Sequence, residues 1–292
     1  MDIRKQMTMQ QILEEIKQWF ESYCDKEITK GIAELQTRMQ QIKDREIALD
    51  TLPIVWQDEA LFRRNLELKH RHTIFVADNA RMIAESLSFD QEEVALAQIV
   101  GYLHDAGRFP QLRRNGTFSD TEGENHAELA IQVFLEEGLD DWFSDEDYPL
   151  IEKAVGLHNA YRYDPIKNER VAIHTKIIRD ADKLDIFRTI TDENRKYGYT
   201  LKQEQKSGFN EALIQDVLNY KNLSYQLLKT KEDWMLFNIG LIFDINYPKS
   251  FQIIRENKYV ERMVRSYEGQ HPLLPEIVNS TLSYIDQRIS AI

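Results

Sequence analysis

Gly101-Tyr102-Leu103-His104-Asp105-Ala106-Gly107-Arg108 is the stretch from which the rest of the chain can be read. The apolar run Val94 to Val100 before it predicts a helix that delivers the His-Asp pair to its own C-terminal end, with Gly107 placed to stop it. Adjacent helical positions are about 100° apart, so the two side chains converge only on something close to that terminus. A metal ion is the natural candidate. A lone His-Asp pair is commonly a surface pair or a helix-end cap, so the weight falls on the residues that accompany it.

Working outward, apolar residues recur at spacings of three and four, and only 11 Gly and 7 Pro punctuate the 292 residues. The pattern predicts an all-α fold. Two N-terminal helices, Thr8 to about Tyr23 and Glu27 to Ala48, are expected as an antiparallel pair or laid against the body. A long helical pattern from Ala60 to Leu87 follows, with His72, Val76, Asn79 and Ile83 on one face. The helix from Asp90 to about Asp105 opens with Asp90 and Glu93 in a capping-box pattern. Arg108 to Asn125 reads as a polar loop, and a loop of that length is more often functional than idle.

Helices then run from His126 to Glu137, from Asp145 or Glu146 to His158, and from Val171 to Ile190. A polar connector, Arg195 to Ser207, leads to four further helices: Asn210 to Leu223, Glu232 to Phe243, Tyr247 to Ser266 and Leu274 to Ala291. The expected division is an N-terminal helical segment over 1–59, a core over 60–195, and a C-terminal helical extension packed on it over 196–292.

With 42% hydrophobic and 29% charged residues, the chain can bury and cover a sizeable core. A formal net charge of -12 argues against a dedicated nucleic-acid surface or one for anionic membranes. Cys24, the single cysteine, cannot form an internal disulfide, which fits a reducing compartment. No stretch approaches the roughly 20 apolar residues of a membrane span, and the first ten residues lack a secretory core. A cytoplasmic protein is expected.

The histidines decide where the chemistry lies. His72, His104, His126 and His158 stand on apolar helix faces or at helix ends, 32, 22 and 32 residues apart, each interval being about one helix plus one connection. A bundle can bring them together at one end. Asp182, between Ile178 and Phe187, adds a carboxylate among apolar neighbours, where an uncompensated charge is costly and a cation is one remedy.

In order, spacing and local context, these residues resemble the HD-domain metal-dependent phosphohydrolase superfamily over about residues 68 to 190. The match rests on His72 in His-Thr-Ile-Phe-Val-Ala-Asp-Asn-Ala, His104-Asp105 in Leu-His-Asp-Ala-Gly-Arg, and Asp182 in Asp-Ala-Asp-Lys-Leu-Asp. His126 and His158 look like the additional histidines of branches that hold two metals. The resemblance implies an HD helical bundle with extra N- and C-terminal helices. One metal would sit on His72, His104, Asp105 and Asp182, and Asp105 would bridge to a second on His126 and His158. Mixed imidazole and carboxylate ligands suit Mn, Fe, Co, Ni or Zn. The family pattern very often has Lys where Arg108 stands; a guanidinium grips a phosphate as a fork rather than as a point charge.

The implied activity is hydrolysis of a phosphoester, in a nucleotide or another small phosphorylated metabolite, by a metal-activated water. Asp105, Arg108 and Lys183 are the expected catalytic residues. Arg108, Arg113, Arg114, Arg162 and Lys183 would face the phosphate, with Tyr161 or Tyr163 beside a base or sugar. The alternative on the same scaffold is a di-iron oxygenase. His70 reads as a solvated neighbour of His72; His174 and His271 have no partner that the sequence names. Asp180 and Asp185 either hold a ligand histidine or sit as helix-surface charges. The acidic helical flanks could supply a lid, an oligomer interface or an added domain.

Overall fold

The structure is a computed structural model and describes residues 7–44, 48–49, 52–121, 123–192 and 207–290. Among them every regular element is helical and no strand occurs. The chain divides into two compact units, Met1–Ile178 and Arg179–Ile292.

The first unit opens with α1 (Met9–Lys43), started by a reciprocal capping box between Thr8 and Gln11. It is one unbroken 35-residue helix, which corrects the expected pair. Nothing between Tyr23 and Glu27 breaks a helix. The buried stripe runs on through Phe20, Tyr23, Cys24, Glu27 and Gly31, and its polar member, Glu27, faces inward because Arg113 Nε donates to its carboxylate at 3.0 Å. A buried ion pair had disguised a core position as a surface one.

α2 (Glu59–Ser86) and α3 (Gln91–Leu103) form the central pair, with α1 packed on both. Their close approach depends on small side chains. A Cβ on Gly101 would come within 2.6 Å of the Ala77 backbone, and Ala77, Ala80 and Ala84 on α2 are all fully buried. α3 begins as expected, Asp90 accepting from the Glu93 amide. Glu93 does not complete the box, because its carboxylate takes Arg170 Nε at 2.8 Å and His174 Nε2 at 2.7 Å instead. That histidine therefore has a partner the sequence did not name.

The expected loop after Asp105 contains α4 (Arg108–Asn115), ended by Gly116 at φ 67°. Pro110 is the third residue of the helix, where a missing amide costs nothing. α5 (His126–Glu136), α6 (Asp147–Leu157) and the first half of α7 (Glu169–Thr191) complete the unit. Asn125 caps α5, and Gly138 (φ 65°) follows its end as expected. Arg170, early in α7, reaches both Glu93 of α3 and Asp147 of α6.

The second unit holds the remainder of α7 with α8 (Glu211–Leu218), α9 (Lys231–Gly240), α10 (Pro248–Glu256), α11 (Tyr259–Val264) and α12 (Leu274–Ser290). α12 packs on α8, α10 and α11. The expected helix Tyr247 to Ser266 is two helices, because Lys258 adopts a left-handed φ of 53°. α8 stops at Leu218, short of the expected Leu223, and α9 tightens into a 3-10 turn over Leu241–Asp244. Asp180 is a buried cap for α10. It accepts from the Asn246 and Tyr247 amides and the Ser250 hydroxyl, and burial raises its carboxyl pKa against those bonds. Asp185 pairs with Arg188, and His271 with Glu211 at 2.9 Å. The connector from Arg195 lies, apart from Ser207, outside the described residues. No helix of the described residues is long and apolar enough to cross a membrane.

Candidate metal centre

Five of the expected ligands converge in the first unit, delivered by helix ends and one helix face. His72 comes from the middle of α2. His104 is the C-cap of α3, and Asp105 is the next residue. His126 is the first residue of α5, and His158 is the C-cap of α6. All five are buried, Asp105 at 2% exposure.

Asp105 organises them. Its Oδ2 faces His72 Nε2 at 3.4 Å and His104 Nε2 at 3.6 Å; its Oδ1 faces His126 Nε2 at 3.3 Å and His158 Nε2 at 3.8 Å. Each oxygen also meets a cation. Lys69 Nζ is 2.8 Å from Oδ2, and Arg108 Nε is 3.4 Å from Oδ1. Burial would raise the Asp105 carboxyl, yet the charges of Lys69 and Arg108 beside it hold it well below the usual carboxylate range.

Within each pair the imidazole nitrogens are close, 3.4 Å for His72 and His104 and 2.9 Å for His126 and His158. The outer nitrogens explain their state. His104 Nδ1 lies 2.7 Å from the Gly101 carbonyl, and His158 Nδ1 lies 2.6 Å from the Val155 carbonyl. His126 Nδ1 is 2.7 and 2.9 Å from the two oxygens of Asp120. Carbonyls and carboxylates only accept, so these partners place the proton on Nδ1 and leave a lone pair on Nε2. At His126 and His158 two lone pairs thus face one another beside a carboxylate oxygen, a setting that suits a cation.

The residues present therefore fit a metal. Ligand atoms of His104, Asp105 and His158 all lie within 4.8 Å of one another. Two ligands each about 2.1 Å from a tetrahedral ion stand about 3.4 Å apart, close to the spacings here. Burial and the neighbouring Arg108 lower the His126 pKa to about 4, so the ring stays neutral and able to bind at ordinary pH.

Two residues of this site were not singled out from the sequence. Lys69 stands three positions before His72 on the same helix face, a spacing that could have flagged it. Asp120 sits among Ser119, Thr121 and Glu124 in a polar segment with no periodicity to mark it. It takes hydrogen bonds from Gln111 Nε2 at 2.8 Å and Asn159 Nδ2 at 3.2 Å, and His126 with Arg108 pulls its carboxyl far down against burial.

Gly107 does not end α3 through a left-handed turn; its φ is -67°. Its role is clearance. A Cβ there would run into the His126 carbonyl oxygen and approach the Ala130 amide within 2.6 Å.

The expected phosphate cations are spread out. Arg108 donates to Gln111 at 2.7 Å and to the Phe118 carbonyl at 2.6 Å. Arg113 is buried between Glu27 and Glu34 of α1, and Arg114 pairs with Glu124 near the surface. Arg162 is exposed against the Tyr161 ring. Asp182 and Lys183 belong to the second unit. Asp182 is half-buried, and Lys183 pairs with Asp244 at 2.8 Å. His70 is partly covered, stacked on Phe20 and bonded to Glu21.

Residues 70–186 match the family model described as HD domain, a span that contains all six expected ligands. This stretch is an HD domain, the domain of a superfamily whose members are mostly hydrolases that bind divalent metals. No curated protein and no solved structure gives a significant match.

Proposed function

We propose that this protein is a metal-dependent phosphohydrolase that cleaves a phosphoester of a nucleotide or another small phosphorylated metabolite with an activated water. The observation that carries the reading is the division of labour on Asp105, each of whose oxygens faces one pair of imidazole Nε2 atoms. That arrangement suits a bridging carboxylate between two ions.

We assign one ion to His72, His104 and Asp105, and the other to Asp105, His126 and His158; Asp182 is the further ligand that the resemblance implies. A divalent transition-metal pair bound there supplies a water of lowered pKa and stabilises charge on the phosphoryl oxygens. The protein's own residues do the rest. Asp105, held ionised by Lys69 and Arg108, keeps its acceptor oxygens turned toward both histidine pairs. Gly101 and Val155 carbonyls orient His104 and His158. Arg108 and Lys69 bring positive charge beside the position a phosphate would take, with Arg162 as an outer cation. The composition favours a small anionic substrate over a nucleic acid.

The test is metal analysis of the purified protein, followed by anaerobic turnover with Mn against phosphomonoesters, cyclic nucleotides and dinucleoside polyphosphates. Phosphate release that disappears in His72→Ala and Asp182→Ala, along with the bound metal, is the expected result. Full activity in both variants overturns the assignment. Iron-dependent oxygen uptake on a diol or phosphonate, with no phosphate release, would replace hydrolysis by oxygenation.

A further inference from the structure

His126 is held differently from His104 and His158. Those two turn Nδ1 to a main-chain carbonyl three residues back in their own helix. His126 turns Nδ1 to a side-chain carboxylate from the polar segment ahead of α5, and the same carboxylate takes the His126 amide at 3.2 Å. We propose that Asp120 is a positioning residue which, by keeping the proton on His126 Nδ1, decides whether the His126–His158 half of the centre can take its ion. The His72–His104 half does not depend on it. The inference rests on the two-ion reading above.

The competing state is local and specific. With 2.9 Å between His126 Nε2 and His158 Nε2, a proton moved to His126 Nε2 would make a direct hydrogen bond between the rings. His158 already commits its Nδ1 proton to the Val155 carbonyl, so its Nε2 is the ready acceptor. Such a ring-to-ring bond is self-satisfied and occupies both lone pairs a cation would need. Asp120 opposes it because a carboxylate can only accept. Its own environment fixes that role: Gln111 Nε2 at 2.8 Å, Asn159 Nδ2 at 3.2 Å and Arg108 at 3.4 Å all donate to it. Arg108 also touches Asp105, so one guanidinium joins the carboxylate that would bridge the ions to the carboxylate that orients a ligand. Alanine in place of Asp120 takes both carboxylate oxygens, at 2.7 and 2.9 Å, away from Nδ1. The proton is then free to move to Nε2 and close the pair.

Calorimetric titration with Mn, checked by metal analysis, and long-range 1H–15N imidazole spectra of the metal-free protein together test this. His126 signals are assigned by their loss in His126→Gln. Metal-free wild type should show His126 protonated at Nδ1, and it should bind two ions. Asp120→Ala should move that proton to Nε2 and weaken one ion by about ten- to a hundred-fold while leaving the other unchanged. A wild-type His126 protonated at Nε2 overturns the inference without any variant. So does an Ala variant that binds both ions as wild type does, or that loses both equally; in either case the two-ion reading survives. Wild type that binds fewer than two ions ends that reading, and this one with it.

Discussion

Lys69 Nζ lies 2.8 Å from Asp105 Oδ2, both groups buried, so the carboxylate at the heart of the centre carries a built-in counter-charge. An ammonium on that oxygen stabilises the metal-free protein and competes with an incoming cation. Lys69→Met should therefore do two opposite things. The metal-free protein should lose up to about 3 kcal/mol, the low end for removing one partner of a buried pair, because Arg108 still faces the other oxygen. Affinity for Mn should rise. Calorimetric melting and metal titration read the two effects separately, and weaker Mn binding with an unchanged melt would rule out the competition.

The centre should also make metal-free stability depend on pH. His126 titrates near 4 in the fold against an ordinary 6.5, so between these values the unfolded chain binds the extra proton and the folded one resists it. Stability is thus complete above pH 6.5 and falls as pH drops toward 4. A shift of that size corresponds to about 3 kcal/mol. Below pH 4 the depressed carboxyls of Asp105 and Asp120 extend the loss, since protonating them forfeits their ion pairs. Melting temperatures between pH 7 and 4 in the presence of a chelator should show the slope, and His126→Gln should flatten its upper part.

Two glycines separate clearance from flexibility. Gly107→Ala places a methyl group against the His126 carbonyl oxygen and the Ala130 amide, backbone that cannot swing aside. It should cost about 1–3 kcal/mol, the usual range for overpacking, and weaken metal binding through displacement of His126. Gly156 lies exposed in α6 with nothing within 4 Å of an added Cβ, and an alanine there should add about 0.5–1 kcal/mol. Equal melting temperatures for the two variants would refute the clearance argument.

What the sequence reveals about this centre follows from how each residue type signals itself. His72, His104, Asp105, His126 and His158 are legible because the histidines stand on apolar helix faces or at helix ends, at spacings equal to one helix plus one connection, and Asp105 adjoins one of them. Lys69 and Asp120 were not, because each looks like ordinary solvated charge until the fold shows what it faces: Leu68-Lys69-His70-Arg71 resembles a wet helix face, and Ser119-Asp120-Thr121 a plain loop. The same cause hid α4 and the continuity of α1. Gln111 and Arg113 are buried by polar partners, and Glu27 by Arg113, so apolar periodicity fails where hydrogen bonds and ion pairs do the packing. Gly107 was misread for a different reason: a sequence marks glycine without saying whether it is needed for its backbone angle or for its missing side chain.

The N-terminal helix lies outside the matched domain, yet Tyr23 of α1 donates its hydroxyl to the Ala106 carbonyl at 2.9 Å, one residue after Asp105. Its ring meets Phe109 edge-on at 5.6 Å, and burial raises the phenol pKa well above its ordinary value, so it remains a neutral donor. Ala106 is fully buried, and no water can replace that donor without opening the packing. Tyr23→Phe should thus leave the carbonyl unsatisfied, at about 1–3 kcal/mol. Because the affected peptide adjoins Asp105, Mn affinity should fall as well. Leu35→Ala provides the comparison: it empties a core position farther along the same helix, at about 2–5 kcal/mol, and should leave Mn affinity unchanged. If the two variants lower Mn affinity alike, α1 acts on the centre only through overall stability; if Tyr23→Phe alone does, the helix holds the Asp105 turn in place.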